Sequence, residues 1–179
     1  VVLGLGGGDT QCSLLGAGVI KAGQSAVVAG TTAPVQSVLA SPAFDSAGKS
    51  MGTYHILPER WILESNGGGM GLSVSLLSKV LFPEAPQPEL RLLAEAALSE
   101  PGAAGMLSTL GADVINMQSP RMPIGQLTLS HMSCMDDAFP RRHLARALVE
   151  GCACSIRANL EQLQSVLGRP VSTDNLTLC

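Results

Sequence analysis

Gly6-Gly7-Gly8-Asp9-Thr10-Gln11 follows the apolar run Val1-Val2-Leu3-Gly4-Leu5 and leads into a stretch that reads as a short helix over about residues 10–20. The glycines let backbone approach a ligand closely, and Asp9 falls at the N-cap or in the first turn. There its carboxylate can accept backbone N–H groups and meets the positive end of the helix dipole, which favours the charged form. A carboxylate so fixed can take a proton from an alcohol. The position equally suits an aspartate that does no more than cap the helix.

Ala29-Gly30-Thr31-Thr32-Ala33 ends a strand through Ser25-Ala26-Val27-Val28-Ala29. Successive backbone N–H groups and two hydroxyls at a turn are the chemistry of an anion nest, able to hold nucleotide phosphates. An ordinary strand-ending turn also uses Gly and Thr. Asp9 and Thr31 together carry more than either alone. They end neighbouring strands of one strand-helix-turn-strand unit, which would set a base and a phosphate cradle on one crevice.

The remaining elements must position these groups. β-like pieces at 35–39, 52–57 and 61–64 are separated by turn chemistry at Ser41-Pro42 and Pro58-Glu59. After the loop Asn66-Gly67-Gly68-Gly69, the spacing of Leu72, Leu76, Leu77 and Val80 predicts a helix, and a second follows Pro88 through Leu90, Leu93, Ala94 and Ala97. Pro83–Pro88 joins the two. Short strands are expected at 105–110 and 125–130. From Pro140, the residues Leu144, Leu148, Cys152, Ile156, Leu160, Leu163 and Leu167 step by three to four as far as Gly168. That predicts a helix of about 27 residues and roughly 40 Å. A strand at 175–179 closes the α/β pattern, and both chain ends read as interrupted strands.

Of the 179 residues 46% are apolar and 14% charged, enough for one sizeable core. A net charge of -3 without a basic stripe, and 3% aromatics, argue against nucleic acid. No apolar run reaches the ~18 residues of a membrane span, and no signal-peptide pattern opens the chain. Cys12, Cys134, Cys152, Cys154 and Cys179 lack CxxC spacing and suit a reducing cytoplasm.

The series Gly-Gly-Gly-Asp-Thr-Gln at 6–11, Ala-Gly-Thr-Thr at 29–32, the glycine loop and helix from Asn66 to Lys79, Ser119-Pro120-Arg121 and the long helix from Pro140 to Gly168 resembles, in this order, the FGGY carbohydrate kinases. Xylulose, glycerol, ribulose and autoinducer-2 kinases belong to that family, and the resemblance covers nearly the whole chain. It implies a ribonuclease H-like, actin-type α/β domain with a mixed sheet flanked by helices. Residues 1–179 would be much of the C-terminal domain of a two-domain sugar kinase, without the N-terminal domain and the final segment.

By the same resemblance, Asp9 is the general base toward the sugar hydroxyl, and Gln11 touches substrate. Gly30 and Thr31 meet the phosphates of ATP with Thr32 close by, and Gly71 and Ser75 lie where relatives contact the nucleotide. Mg²⁺ would bridge the phosphates in the intact enzyme. A small sugar or polyol and ATP are the implied partners, a homodimer is left open, and the piece is expected to be inactive alone. The Asp-Thr-Gln ending, with the surroundings of Arg121, leans toward the xylulose and autoinducer-2 branches.

Other chemistries fit less well. Gly4-x-Gly6 lacks the later glycine and the acid of a dinucleotide fingerprint, no GxxxxGK[ST] occurs, and no serine sits in GxSxG. Cys152 and Cys154 point different ways on a helix, so buried small residues explain them better than a metal half-site. His55, His131 and His143 read as structural or solvated. A different class stays open: an actin-like or sugar-sensing module that binds ligand without turnover.

Overall fold

The computed structural model describes residues 6–116, 118, 127–128, 141–173 and 176–179. The expected first strand lies outside that range, as do Ser119-Pro120-Arg121, His131 and Cys134.

Helix α1 is Asp9–Gly16, shorter than the sequence pattern suggests, because Gly18 turns the chain out of it at φ 73°. Strands β1 (Ser25–Val27), β2 (Pro34–Leu39), β3 (Met51–Tyr54) and β4 (Trp61–Asn66) follow. Helices α2 (Met70–Leu81) and α3 (Pro88–Ala97) come next, then a 3-10 turn at Ala103–Gly105 and the short pair β5 (Leu107–Ser108) and β6 (Leu127–Thr128). Helix α4 (Arg141–Leu167) has the expected 27 residues, and β7 is Leu176–Leu178.

Five strands form one mixed sheet in the order β3-β4-β2-β1-β7. Strand β2 is central and buried along its length. It runs antiparallel to β1 (Val27 opposite Val35) and to β4 (Pro34 opposite Asn66), while β7 runs parallel to β1 (Val27 opposite Leu178). Strands β1, β4 and β7 therefore all point the same way and end along one edge of the sheet. Gly30 follows the first, Asn66 ends the second, and Cys179 follows the third.

Alternation along the strands divides the core. Val27, Val35, Leu39 and Leu63 pack against Leu160 and Leu163 of α4. Ala26, Val38 and Ile62 meet Leu14 of α1 and Val19 on the other face. A third cluster joins Leu77 and Leu81 of α2, Leu92 and Ala96 of α3, and Leu144 and Leu148 of α4. Cys152 borders two of these clusters, and burial raises its thiol pKa, whereas Cys154 is exposed. The expectation that both are buried fails at Cys154, two residues round the helix from its neighbour.

The spacing of Leu72, Leu76, Leu77 and Val80 marks a helix correctly but not its inner face. Leu77 is buried, while Leu72, Leu76 and Val80 are exposed and Ser73 and Ser78 are buried in their place. His55 is structural: its Nδ1 accepts the Leu57 N–H at 3.0 Å, which leaves Nε2–H to donate to Val19 O at 3.2 Å. Ser99 and His143 join α3's end to α4 at 2.8 Å.

Leu163 is fully buried between α4 and the sheet. Leu163→Ala is expected to lower the unfolding free energy by about 2–5 kcal/mol, since a cavity adds to the lost transfer term, measured from the denaturant midpoint at constant slope.

Candidate functional site

The edge where β1, β4 and β7 end gathers most of the chemistry foreseen in the sequence. The crevice outside the carboxyl ends of such strands is where open α/β sheets take their ligands. After Val27 the chain is tied to the third strand end, with Cys179 N–H on Val27 O at 3.0 Å and Ala29 N–H on Cys179 O at 2.6 Å. Gly30 N–H folds back onto Val28 O at 2.8 Å. The amides of Thr31 and Thr32 donate to no described acceptor, so the exposed tip presents two N–H groups and two hydroxyls.

Helix α2 starts against this tip. Gly71 N–H donates to Thr31 O at 3.0 Å. A Cβ built on Gly71 would overlap the Gly30 carbonyl oxygen and come within 3.0 Å of Thr31 Cα. Only a residue without a side chain lets the helix close on the turn in this way. Gly68 supplies the other local requirement, a backbone φ of 78° in the bend between β4 and α2.

Asn66 joins the two segments. Its Oδ1 accepts the Gly68 N–H at 3.1 Å, and its Nδ2 lies 3.3 Å from Thr32 Oγ1. The bend is held from below as well. Asp113 N–H donates to Gly67 O and Ile115 N–H to Asn66 O, at 3.3 and 3.1 Å. Ser155 and Asn159 of α4 then fix the Asp113 backbone, and Asn159 Oδ1 accepts the Ser65 hydroxyl at 2.6 Å inside the core.

Gly30, Thr31, Thr32 and Gly71 are thus brought together. Ser75 sits one helical turn beyond Gly71, but its hydroxyl is engaged with Glu89 Oε1 of α3 at 2.9 Å. The backbone N–H of Glu89 and this hydroxyl hold the Glu89 carboxyl below the ordinary carboxylate range. Asp9 is exposed in the first turn of α1, after Gly8 at the N-cap, and its Oδ1 accepts the Thr10 N–H at 2.8 Å. Gln11 Oε1 accepts the Thr10 hydroxyl at 3.1 Å. Among the described residues, the hydrogen bonds of Asp9 and Gln11 stay within their own turn, so they form a second group tied to no residue of the Gly30–Thr32 tip.

Two features escaped the sequence pattern: Asn66 as the bridge between bend and turn, and Glu64 behind it. A signal existed in Gln36 and Glu64, polar residues set inside two otherwise apolar strands. A separate hollow of about 750 Å³, lined by Glu84, Ala85, Pro86, Gln87, Leu90 and Arg91, opens at the α2–α3 connection and contains none of the residues foreseen.

Known structures share the fold. The xylulose kinase of Rhodospirillum rubrum superposes with a TM-score of 0.70 at 24% identity, over 92% of this chain and 32% of that one. A xylulose kinase from Bifidobacterium adolescentis gives 0.65 at 24%, over 97% and 32%. Plasmodium falciparum glycerol kinase, solved with ADP, gives 0.69 at 19%, over 96% and 33%. The fold is that of the FGGY sugar kinases. The chain spans about a third of the length of each of these kinases. No family model and no curated protein matches its sequence.

With an FGGY-type fold around it, the Gly71 contact becomes the part of the site most open to test. Gly71→Ala should force α2 away from the Gly30–Thr31 backbone. The expected outcome is a stability loss of about 1–3 kcal/mol from overpacking, read by denaturation, with amide exchange quickening more at position 71, whose N–H loses Thr31 O, than at Leu163.

Proposed function

We infer that the chain is the nucleotide-binding side of a carbohydrate kinase that phosphorylates a hydroxyl of a small sugar or polyol at the expense of ATP. The observation that carries this reading is the close seating of α2's first turn on the Gly30–Thr32 tip. It leaves two N–H groups without a described acceptor at an edge where three strands end. The topology also favours a ribonuclease H-like domain: β4, β2 and β1 lie side by side in alternating direction, and β7, reached through α2, α3 and α4, adds parallel to β1. In this reading, residues 1–179 belong to the C-terminal domain of a longer enzyme, and the other domain supplies most contacts to the sugar.

Phosphoryl transfer asks a protein for positioning, charge neutralisation and one group to receive the nucleophile's proton. The amides of Thr31 and Thr32, with both hydroxyls, fit the phosphates of ATP, and Gly71 lets the backbone come near them. Ser75 would lie further along the nucleotide, toward its ribose and base. Mg²⁺, carried by the nucleotide, would offset phosphate charge, and no residue of this chain is assigned to it. Asp9 would act as general base, accepting the proton as the sugar oxygen attacks the terminal phosphorus, with Gln11 beside it orienting the substrate. The exposed position of Asp9 on a helix start suits that role, since the side chain is open to a bound alcohol. The xylulose-type kinases are the favoured branch for substrate, and a reducing cytoplasm the favoured setting.

The deciding experiment uses the full-length protein. Asp9→Ala is expected to lower turnover of a pentulose or polyol by roughly 10²–10⁴, the range for loss of a general base, while ATP affinity by calorimetry stays within about twofold. A wild type that binds a sugar but never consumes ATP would mark a ligand-sensing module instead and end the kinase reading.

A further inference from the structure

The Asn66 side chain is saturated in one orientation. A flipped amide would aim Nδ2 at the Gly68 N–H, donor against donor. Oδ1 therefore stays on Gly68, and the two Nδ2 hydrogens go to Thr32 Oγ1 at 3.3 Å and Glu64 Oε1 at 3.4 Å. Glu64 is 7% exposed, and its other oxygen accepts Gln36 Nε2 at 2.6 Å. An ionised carboxylate only accepts. The row running from Gln36 through Glu64 and Asn66 to Thr32 thus has a fixed polarity, with both amides donating to Glu64 and Asn66 also donating to Thr32.

That polarity has a consequence at the turn. A hydroxyl owns one hydrogen. Because Thr32 Oγ1 receives the Asn66 N–H, its own hydrogen remains for a third group, and it donates to no described residue. The Thr31 and Thr32 amides stand beside it. We propose that Asn66 is a positioning residue for phosphate: with Glu64 and Gln36 behind it, it holds the Thr32 hydroxyl as a donor toward an anionic phosphate oxygen. The identity of that anion rests on the kinase reading above; the direction of the hydroxyl does not.

Asn66→Asp keeps the shape and the bond to Gly68, but the oxygen replacing Nδ2 meets Glu64 Oε1, so those two carboxyls share one proton between them; toward Thr32 the aspartate then only accepts, and Thr32 turns its hydrogen inward. In the full-length protein, titrated with Mg-ATP by calorimetry, this variant should bind about tenfold more weakly, the worth of one hydrogen bond to a charged group. Sugar affinity should stay unchanged. Thr32→Ala should cost a similar factor, and adding Asn66→Asp to it should cost less than about twofold more, because coupled residues are not additive.

Asn66→Asp penalties of equal size with and without Thr32 would overturn the proposal, as would unchanged ATP affinity or an equal loss for sugar. Should the aspartate variant not fold, Asn66→Ala decides, with a loss confined to ATP supporting the proposal and an equal loss for both ligands rejecting it. A wild type that does not bind ATP at all removes the kinase reading itself, and this inference with it.

Discussion

The missing side chain at Gly71 is the constraint on which the candidate site depends. Helix α2 must begin close enough to the β1–β2 turn for its amide to reach Thr31 O at 3.0 Å, and a single methyl group would overlap the opposing carbonyl. Backbone on backbone is a contact that side-chain rearrangement cannot relieve. The turn at Thr31 is therefore shaped by Gly71, a helix residue far along the sequence, and the two amides left open at its tip follow from that arrangement. An isolated hairpin would leave the same residues free to move.

Rigidity reaches the tip through buried polar bonds as well as through apolar packing. Asn159 is fully buried in α4 and meets Ser65 from one side and the Asp113 backbone from the other. Burying an amide costs free energy unless its donors and acceptor are matched. Here they are, so the site is specified geometrically where an apolar contact would allow sliding. The Asp113 segment then holds the bend at Asn66 and Gly67. One long helix thus fixes both faces of the loop that ends β4. The 27-residue length of α4 lets its first half pack on α2 and α3 while its second half packs on the sheet.

Much of this was legible in the sequence, and the reasons are specific. The period of Leu144, Leu148, Leu160 and Leu163 marked α4 because a long amphipathic helix repeats its signal many times. Asp9 in a first turn and Gly30–Thr32 at a strand end followed from cap and turn chemistry. The inner face of α2 was not legible, since Leu72, Leu76 and Val80 lie outward while Ser73 and Ser78 face the core beside Leu77 and Leu81. Spacing gives a helix its period, and only its neighbours choose the face. The bonds of Ser75 to Glu89, Gln36 to Glu64 and Asn66 to Thr32 join residues 14 to 34 positions apart. No local pattern encodes such pairs.

The two groups of site residues are held by unequal means, and that difference bears on how such a site could work. The Gly30–Thr32 tip is fixed by β7 and α2 through backbone bonds and by the half-buried Asn66 amide. Asp9 rides on an eight-residue helix without a side-chain cap, anchored through Leu14 in the core and followed by Val19, whose carbonyl His55 holds. Short helices owe their stability to the face they bury, so the start of α1 is the less constrained of the two. A phosphate cradle profits from being preorganised before its ligand arrives. A base must instead meet an alcohol brought by the substrate, where some freedom in the approach is tolerable until closure aligns the reacting atoms. The same chain thus builds a stiffer group and a more compliant one, a division that suits the proposed transfer between two separately bound substrates.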